Sequence, residues 1–200
     1  MLTTIISALV IYFSTALDLI VILMMLFNKY PSKADHRQIF IGQFVGSGLL
    51  VLISLFFAYV LHMVPDQWIL GILGIIPIYF GIKALISDEE EVETVETKLT
   101  GKSLNNLIIP VILITFASCG ADNIGLFIPY FVTLTLPQTS LALVIFMLGI
   151  LTTGLLGNKL AKIKLVENFL DKFGDWIIAI IYIGLGIMII WESGTIQHFI

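Results

Sequence analysis

Apolar residues run along this chain in six long stretches separated by short polar breaks, roughly 3–27, 38–61, 68–86, 104–133, 139–157 and 174–191. A helix that crosses a bilayer needs about 20 mainly apolar residues. Its backbone polar groups must also be satisfied within the segment, because lipid offers no partner. The pattern therefore predicts six transmembrane helices. His62 to Gln67, with Pro65 and Asp66, marks a turn between helices two and three, and Leu136-Pro137-Gln138 marks one between helices four and five.

Charge adds an orientation. With six helices, the ten basic residues Lys29, Lys33, Arg37, Lys83, Lys98, Lys102, Lys159, Lys162, Lys164 and Lys172 all fall on one side. The loops at 62–67 and 134–138 and both termini, on the other side, contain no Lys or Arg. The positive-inside rule then puts both termini outside and the three charged loops in the cytoplasm. Six of the fourteen acids (Asp88, Glu89, Glu90, Glu91, Glu93 and Glu96) crowd into 87–103. Such a run reads as a solvated linker, here joining a first half, 1–86, to a second, 104–200.

Composition agrees and narrows the class. The chain is 58% hydrophobic and 12% charged, with mean hydropathy +1.06, whereas soluble domains carry about 25% charged residues. An all-α integral membrane protein follows, with lipid as its surroundings and no surface suited to nucleic acid. One cysteine, Cys119, excludes an intrachain disulfide. The apolar N-terminus lacks a basic flank and a small-x-small cleavage site, so it reads as a retained helix. Nine Lys against one Arg, with abundant Ile, fits an AT-rich bacterial genome and a plasma-membrane location.

Two acids break the apolar pattern, and they do so in matched settings. Asp18 lies in Ser14-Thr15-Ala16-Leu17-Asp18-Leu19-Ile20, and Asp122 in Ser118-Cys119-Gly120-Ala121-Asp122-Asn123-Ile124. Ser, Asp and Ile coincide at an offset of 104 residues. That offset spans three helices, an odd number, so the predicted architecture is two inverted three-helix repeats, a recurrent transporter plan. Ile78-Tyr79-Phe80-Gly81-Ile82 and Ile183-Gly184-Leu185-Gly186-Ile187 form a weaker echo of the same duplication.

The chemistry follows from residue type. A carboxylate in the membrane core costs about 2.5–3.5 kcal/mol on insertion scales and marks function by default. Convergent Asp18 and Asp122 balance one divalent cation, and a Cys119 thiolate favours soft zinc-like or cadmium-like ions. Protons compete for the same ligands, which gives a route to cation/proton antiport. Asn123 is a further candidate ligand, with Ser14, Thr15 and Ser118 in support. Gly120, beside Asp122 and Asn123 and between Pro110 and Pro129, points to a broken helix four. The bland alternatives are that Cys119 is a small buried hydrophobe and that the hydroxyls only bond their own helix. Gln43 is polar inside helix two, near Gly42, Gly46 and Gly48. Those glycines, like Gly149, Gly154 and Gly157, read as close helix packing and leave room for a homodimer. Trp68, Trp176 and Trp191 fall at helix ends as interface anchors, and none of the three histidines is spaced as a metal site.

The stretch Ser118 to Phe131 resembles the second-half motif of the CadD-type cadmium-resistance transporters of the lysine-exporter superfamily. Thr15 to Leu23 is similar to their first-half motif, and Trp68 to Ala84 and Trp176 to Ile190 extend the likeness over essentially the full length. The resemblance implies a plasma-membrane exporter of cadmium, with zinc as a lesser substrate and no cofactor. It carries Asp18 and Asp122 over as the paired carboxylates. Where many superfamily members have two adjacent acids in the first motif, Leu19 follows Asp18 here.

Competing readings remain distinguishable. A manganese exporter would use hard oxygen ligands and not depend on Cys119. An amino-acid exporter would need a group to meet a carboxylate, and no Lys or Arg is predicted in the membrane interior. An intramembrane aspartyl protease also pairs aspartates, but Gly120-Ala121-Asp122 lacks the second glycine of that motif. A non-transporting membrane protein would tolerate loss of both acids. The topology yields a direct expectation: alkaline phosphatase fused after Ile200 is active and a fluorescent protein fused there is dark. The opposite pair of results would invert the orientation.

Overall fold

The computed structural model describes residues 1–61, 72–86, 106–161, 163, 176 and 179–191. Among these residues the structure is all-helical. The helices are α1 (Leu2–Lys29), α2 (Lys33–Leu61), α3 (Ile75–Ile86), α4 (Ile108–Val132), α5 (Leu136–Leu160) and α6 (Ala179–Trp191). The turn at 62–67, Trp68, His62, His198 and the acidic linker at 87–103 lie outside the described residues. Four helices, α1, α2, α4 and α5, are long and apolar enough to cross a membrane. With 28 residues, α1 is about 42 Å long at the α-helical rise, more than the ~30 Å hydrocarbon core.

Large apolar side chains cover the outside. Leu52, Phe56, Leu113, Val144, Leu148, Leu155 and Ile180 are all more than half exposed. Polar ones are inside: Ser14, Thr15, Gln43, Ser47, Ser54, Thr115, Asn123 and Thr153 are buried. That distribution reverses the usual one in water and matches a lipid surround.

Glycines decide which helices touch. On α2, a Cβ at Gly42 would sit 2.8 Å from both the Ile108 carbonyl and Val111, and one at Gly46 would sit 3.0 Å from Thr115. On α5, a Cβ at Gly149 would lie 2.5 Å from the Tyr12 ring, and one at Gly157 2.7 Å from Leu23. The missing side chains let the backbones close in, as small residues do at membrane helix interfaces. The α2–α4 and α1–α5 pairs are accordingly the most extensive contacts between helices. Gly48 differs, since among the described residues nothing lies within 4 Å of its would-be Cβ. Its expected packing role is not met.

The same contacts give helix directions. Gly42, Gly46 and Leu50 meet Val111, Thr115 and Gly120 in ascending order, so α2 and α4 run parallel. Tyr12 and Leu23 meet Gly149 and Gly157 in ascending order, so α1 and α5 run parallel. By contrast α1 and α4 are antiparallel: Tyr130, near the end of α4, donates to the Thr4 carbonyl at 3.2 Å and meets the Ser7 hydroxyl at 3.1 Å. α3 opposes α6, with Gly81 against Ala179 and Ile183 and Gly186 against Gly74 and Ile78. Phe146 of α5, fully buried, joins this frame by stacking on Tyr130 and packing at a tilt against Phe127 and Phe131 of α4 and Tyr12 of α1.

Two sequence expectations are corrected here. Helix four is not broken: α4 runs continuously through Gly120, Asp122 and Gly125 to Val132. A Cβ at Gly120 would make an ordinary 3.7 Å contact with Leu50. Pro129 lies inside the helix and removes only one hydrogen bond, the one to the Gly125 carbonyl. Helix five starts earlier than expected, at Leu136, so Pro137 belongs to its first turn. Proline is tolerated there because the first-turn N–H groups have no intrahelical acceptor. Gln138 Oε1 accepts from the Thr135 N–H at 2.9 Å and caps the start.

The glycine contacts predict opposite outcomes for two substitutions. Gly149→Val drives side-chain atoms into Tyr12 and lowers detergent-solubilised stability by about 1–3 kcal/mol or more. Gly48→Ala, with open space around it, is neutral or stabilising by up to about 1 kcal/mol through helix propensity. Thermal unfolding of both variants in one detergent checks the pair.

Candidate functional site

A narrow pocket opens between α1, α2 and α4, lined by Tyr12, Thr15, Ala16, Leu19, Ser47, Val51, Asn123 and Phe127. Glycine-mediated approach of α2 to α4 and α1 to α5 brings these faces together. Asn123 is buried, and its Oδ1 makes no hydrogen bond in the described structure. A buried amide oxygen left without a donor is costly. Such an atom beside a pocket calls for a ligand, whether cation or water.

Other polar groups around the pocket are partly committed. The Thr15 hydroxyl donates to the Tyr12 carbonyl at 3.0 Å, and the Ser14 hydroxyl to the Ile11 carbonyl at 2.8 Å. Their protons are used within α1, which is the own-helix alternative, while the oxygens keep acceptor capacity. Tyr12 shares a 3.3 Å hydroxyl pair with Thr153 of α5. Gln43 spans helices: its Nε2 donates to the Ile150 carbonyl at 3.3 Å and to Ser47 at 3.4 Å. Gln43 Oε1 and Thr115 Oγ1 are two more buried oxygens with no partner.

The helix-four motif divides between two faces. Cys119 lies four residues before Asn123 and so shares its side of α4. It is buried. Asp122, turned by about 100° from Asn123, lies one turn before Gly125. There α4 meets α3, and a Cβ would fall 2.5 Å from Phe80. Ser118 shares the Asp122 side. Both Asp122 and Ser118 are half-buried. The structure thus places Cys119 and Asn123 toward α1 and α2, and Asp122 and Ser118 toward α3. Gly120, a helix residue, offers no freed carbonyl.

Asp18 is also half-buried and stands outside the pocket lining, as does Asp122. It lies on the stripe Ser7, Ile11, Ser14, Asp18, whose first member meets Tyr130. Eleven residues on from Ser7 is Asp18, and eleven back from Tyr130 on the antiparallel α4 is Cys119. The register therefore brings Asp18 level with Cys119, within a turn of Asp122. Among the described residues, no group of three or more His, Cys, Asp or Glu is gathered around one point.

Sequence reasoning missed several groups. Ser47 was legible as the partner one turn after Gln43. Tyr12 and Phe127 reach the site only through tertiary packing.

A family profile described as cadmium resistance transporter matches residues 12–200. The chain belongs to the cadmium resistance transporter family. No curated protein and no solved structure gives a significant match. The transporter is a multi-pass membrane protein, its substrate is a metal ion, and it is not an enzyme. The match includes α1 from Tyr12 onward and all of α4, so it covers both polar motifs.

For the transporter, Asn123→Leu removes the amide oxygen while keeping similar bulk. Losing an oxygen contact to a charged group costs about 1.5–3 kcal/mol. Cadmium tolerance of cells expressing this variant should fall roughly tenfold or more on the same basis, at unchanged membrane abundance. Wild-type tolerance would assign the amide to packing alone.

Proposed function

We propose that this protein exports cadmium, with zinc as a lesser cargo, in exchange for protons across the bacterial plasma membrane. The central groups are Asp18 and Asp122. What supports this reading is the antiparallel register of α1 and α4, fixed by Tyr130 against Thr4 and Ser7, from which the two carboxylates fall within about a turn of each other. Beside them lies a pocket whose Asn123 carbonyl oxygen lacks a hydrogen-bond partner.

The chemistry is a competition. Two carboxylates balance a divalent charge, the Cys119 thiolate adds softness suited to cadmium, and Asn123 and Thr15 add neutral oxygens. Bound metal requires the acids deprotonated, so metal and protons exclude one another. Loading from one side as metal and returning as protons makes the exchange. A site spread over two helix faces, without a tight cage, suits an ion that must also leave.

Helix directions support the inverted-repeat plan. The second helix of each half packs parallel to the first helix of the other half, α2 on α4 and α5 on α1. A pseudo-twofold axis in the membrane plane produces that exchange. Parallel α2 and α4 also support a further crossing in the chain between them, in the α3 region. Six spans then put both ends of the chain on one face.

Uptake of cadmium into inside-out vesicles, with and without an imposed pH gradient, tests the mechanism. Gradient-driven uptake in the wild type should fall to background in Asp122→Asn and Asp18→Asn. Uptake that persists in both variants removes the paired carboxylates from the mechanism, and absence of cadmium uptake in the wild type removes the cargo.

A further inference from the structure

Gln43 is fully buried, and its amide is held in one orientation. The Ile150 carbonyl of α5 can only accept, so the group that faces it at 3.3 Å is Nε2. The same nitrogen donates to the Ser47 hydroxyl at 3.4 Å, one turn further along α2. Oε1 is thereby turned toward Gly154, where a Cβ would sit 2.9 Å away, and has no hydrogen-bond partner. An unpaired buried oxygen is costly. A leucine would fill the α2–α5 interface without that cost, so the amide has a further use.

Ser47 shows what that use is. The buried hydroxyls of Ser14, Thr15 and Ser54 donate to carbonyls of their own helices, the usual local option for Ser and Thr. Among the described residues Ser47 makes no such bond, and its partner is Gln43. Its side chain lines the pocket together with Asn123, whose Oδ1 is unpartnered. The same turn of α5 backs a second pocket residue. Tyr12 pairs there with Thr153, three residues on from Ile150.

We propose that Ser47 is a further oxygen ligand of the transported cation, and that Gln43 is the positioning residue that aims it into the pocket. This rests on the reading that the cation binds beside Asn123. Gln43 takes one lone pair of the Ser47 oxygen and leaves the other for the ion. A ligand oriented by a neighbouring hydrogen bond holds a metal better than one free to rotate.

Cadmium titration of the purified full-length protein in nanodiscs tests both roles. Ser47→Ala, a small change in bulk, should weaken binding about threefold to tenfold. Gln43→Leu should weaken it by a similar factor, and the Gln43→Leu/Ser47→Ala double variant by no more than either alone. If Gln43→Leu does not fold, Gly154→Ala, which crowds Oε1, takes its place in the same comparison. Ser47→Cys puts sulfur at the ligand position and should shift preference from manganese toward cadmium. Wild-type affinity and preference in both Ser47 variants, with binding weakened in Asn123→Leu, overturn the new ligand and leave the pocket reading standing. Additive losses, or lower thermal stability of Gln43→Leu at wild-type affinity, reduce Gln43 to a tie between α2 and α5 and overturn its positioning role. Wild-type affinity in Asn123→Leu overturns the pocket reading and this proposal together.

Discussion

Lipid tails are as apolar as Leu or Ile, so burying apolar side chains gives membrane helices little reason to associate. Close backbone approach supplies the reason here. Gly42 and Gly46 let α2 settle on α4, and Gly149 and Gly157 let α5 settle on α1. Dispersion attraction falls off steeply with separation, so a side chain at these points would forfeit contact along much of the helix. Everything else in the molecule inherits its position from these two parallel pairs. Phe146 then locks them to each other by touching both α1 and α4.

The polar interior is a consequence of that packing. Helices drawn together on glycine carry their Ser, Thr, Asn and Gln side chains inward, where water is scarce and electrostatic interactions are strong. Most of the hydroxyl protons find backbone carbonyls within their own helices, as Ser14, Thr15 and Ser54 do. Three oxygens, on Asn123, Gln43 and Thr115, do not find donors. The Asn123 and Gln43 amide oxygens can only accept, and such buried acceptors suit a cation.

Much of the fold could be read from the chain because lipid imposes a simple rule: spans must be long, apolar and internally hydrogen-bonded. α1 and α2 follow it closely. The misreadings came from residues whose local meaning depends on context. Gly120 looks in sequence like a break, yet α4 stays helical because its backbone bonds are worth most where no water competes. Pro137 looks like a turn, yet it occupies a first helical turn that needs no N–H. Gly48, identical in type to Gly42 and Gly46, faces open space, and nothing in composition distinguishes it from them.

The chain by itself determined that this is a membrane protein, that two acids sit in matched motifs half a chain apart, and which family it belongs to. Those properties depend on residue type and spacing, which local sequence records directly. Only the tertiary structure decided that Asn123 and Cys119 turn toward α1 and α2 while Asp122 turns toward α3. It alone brought Tyr12 and Ser47 to the site. These relations depend on helix rotation and register, and those are set by which glycines meet which side chains across helices distant in the chain.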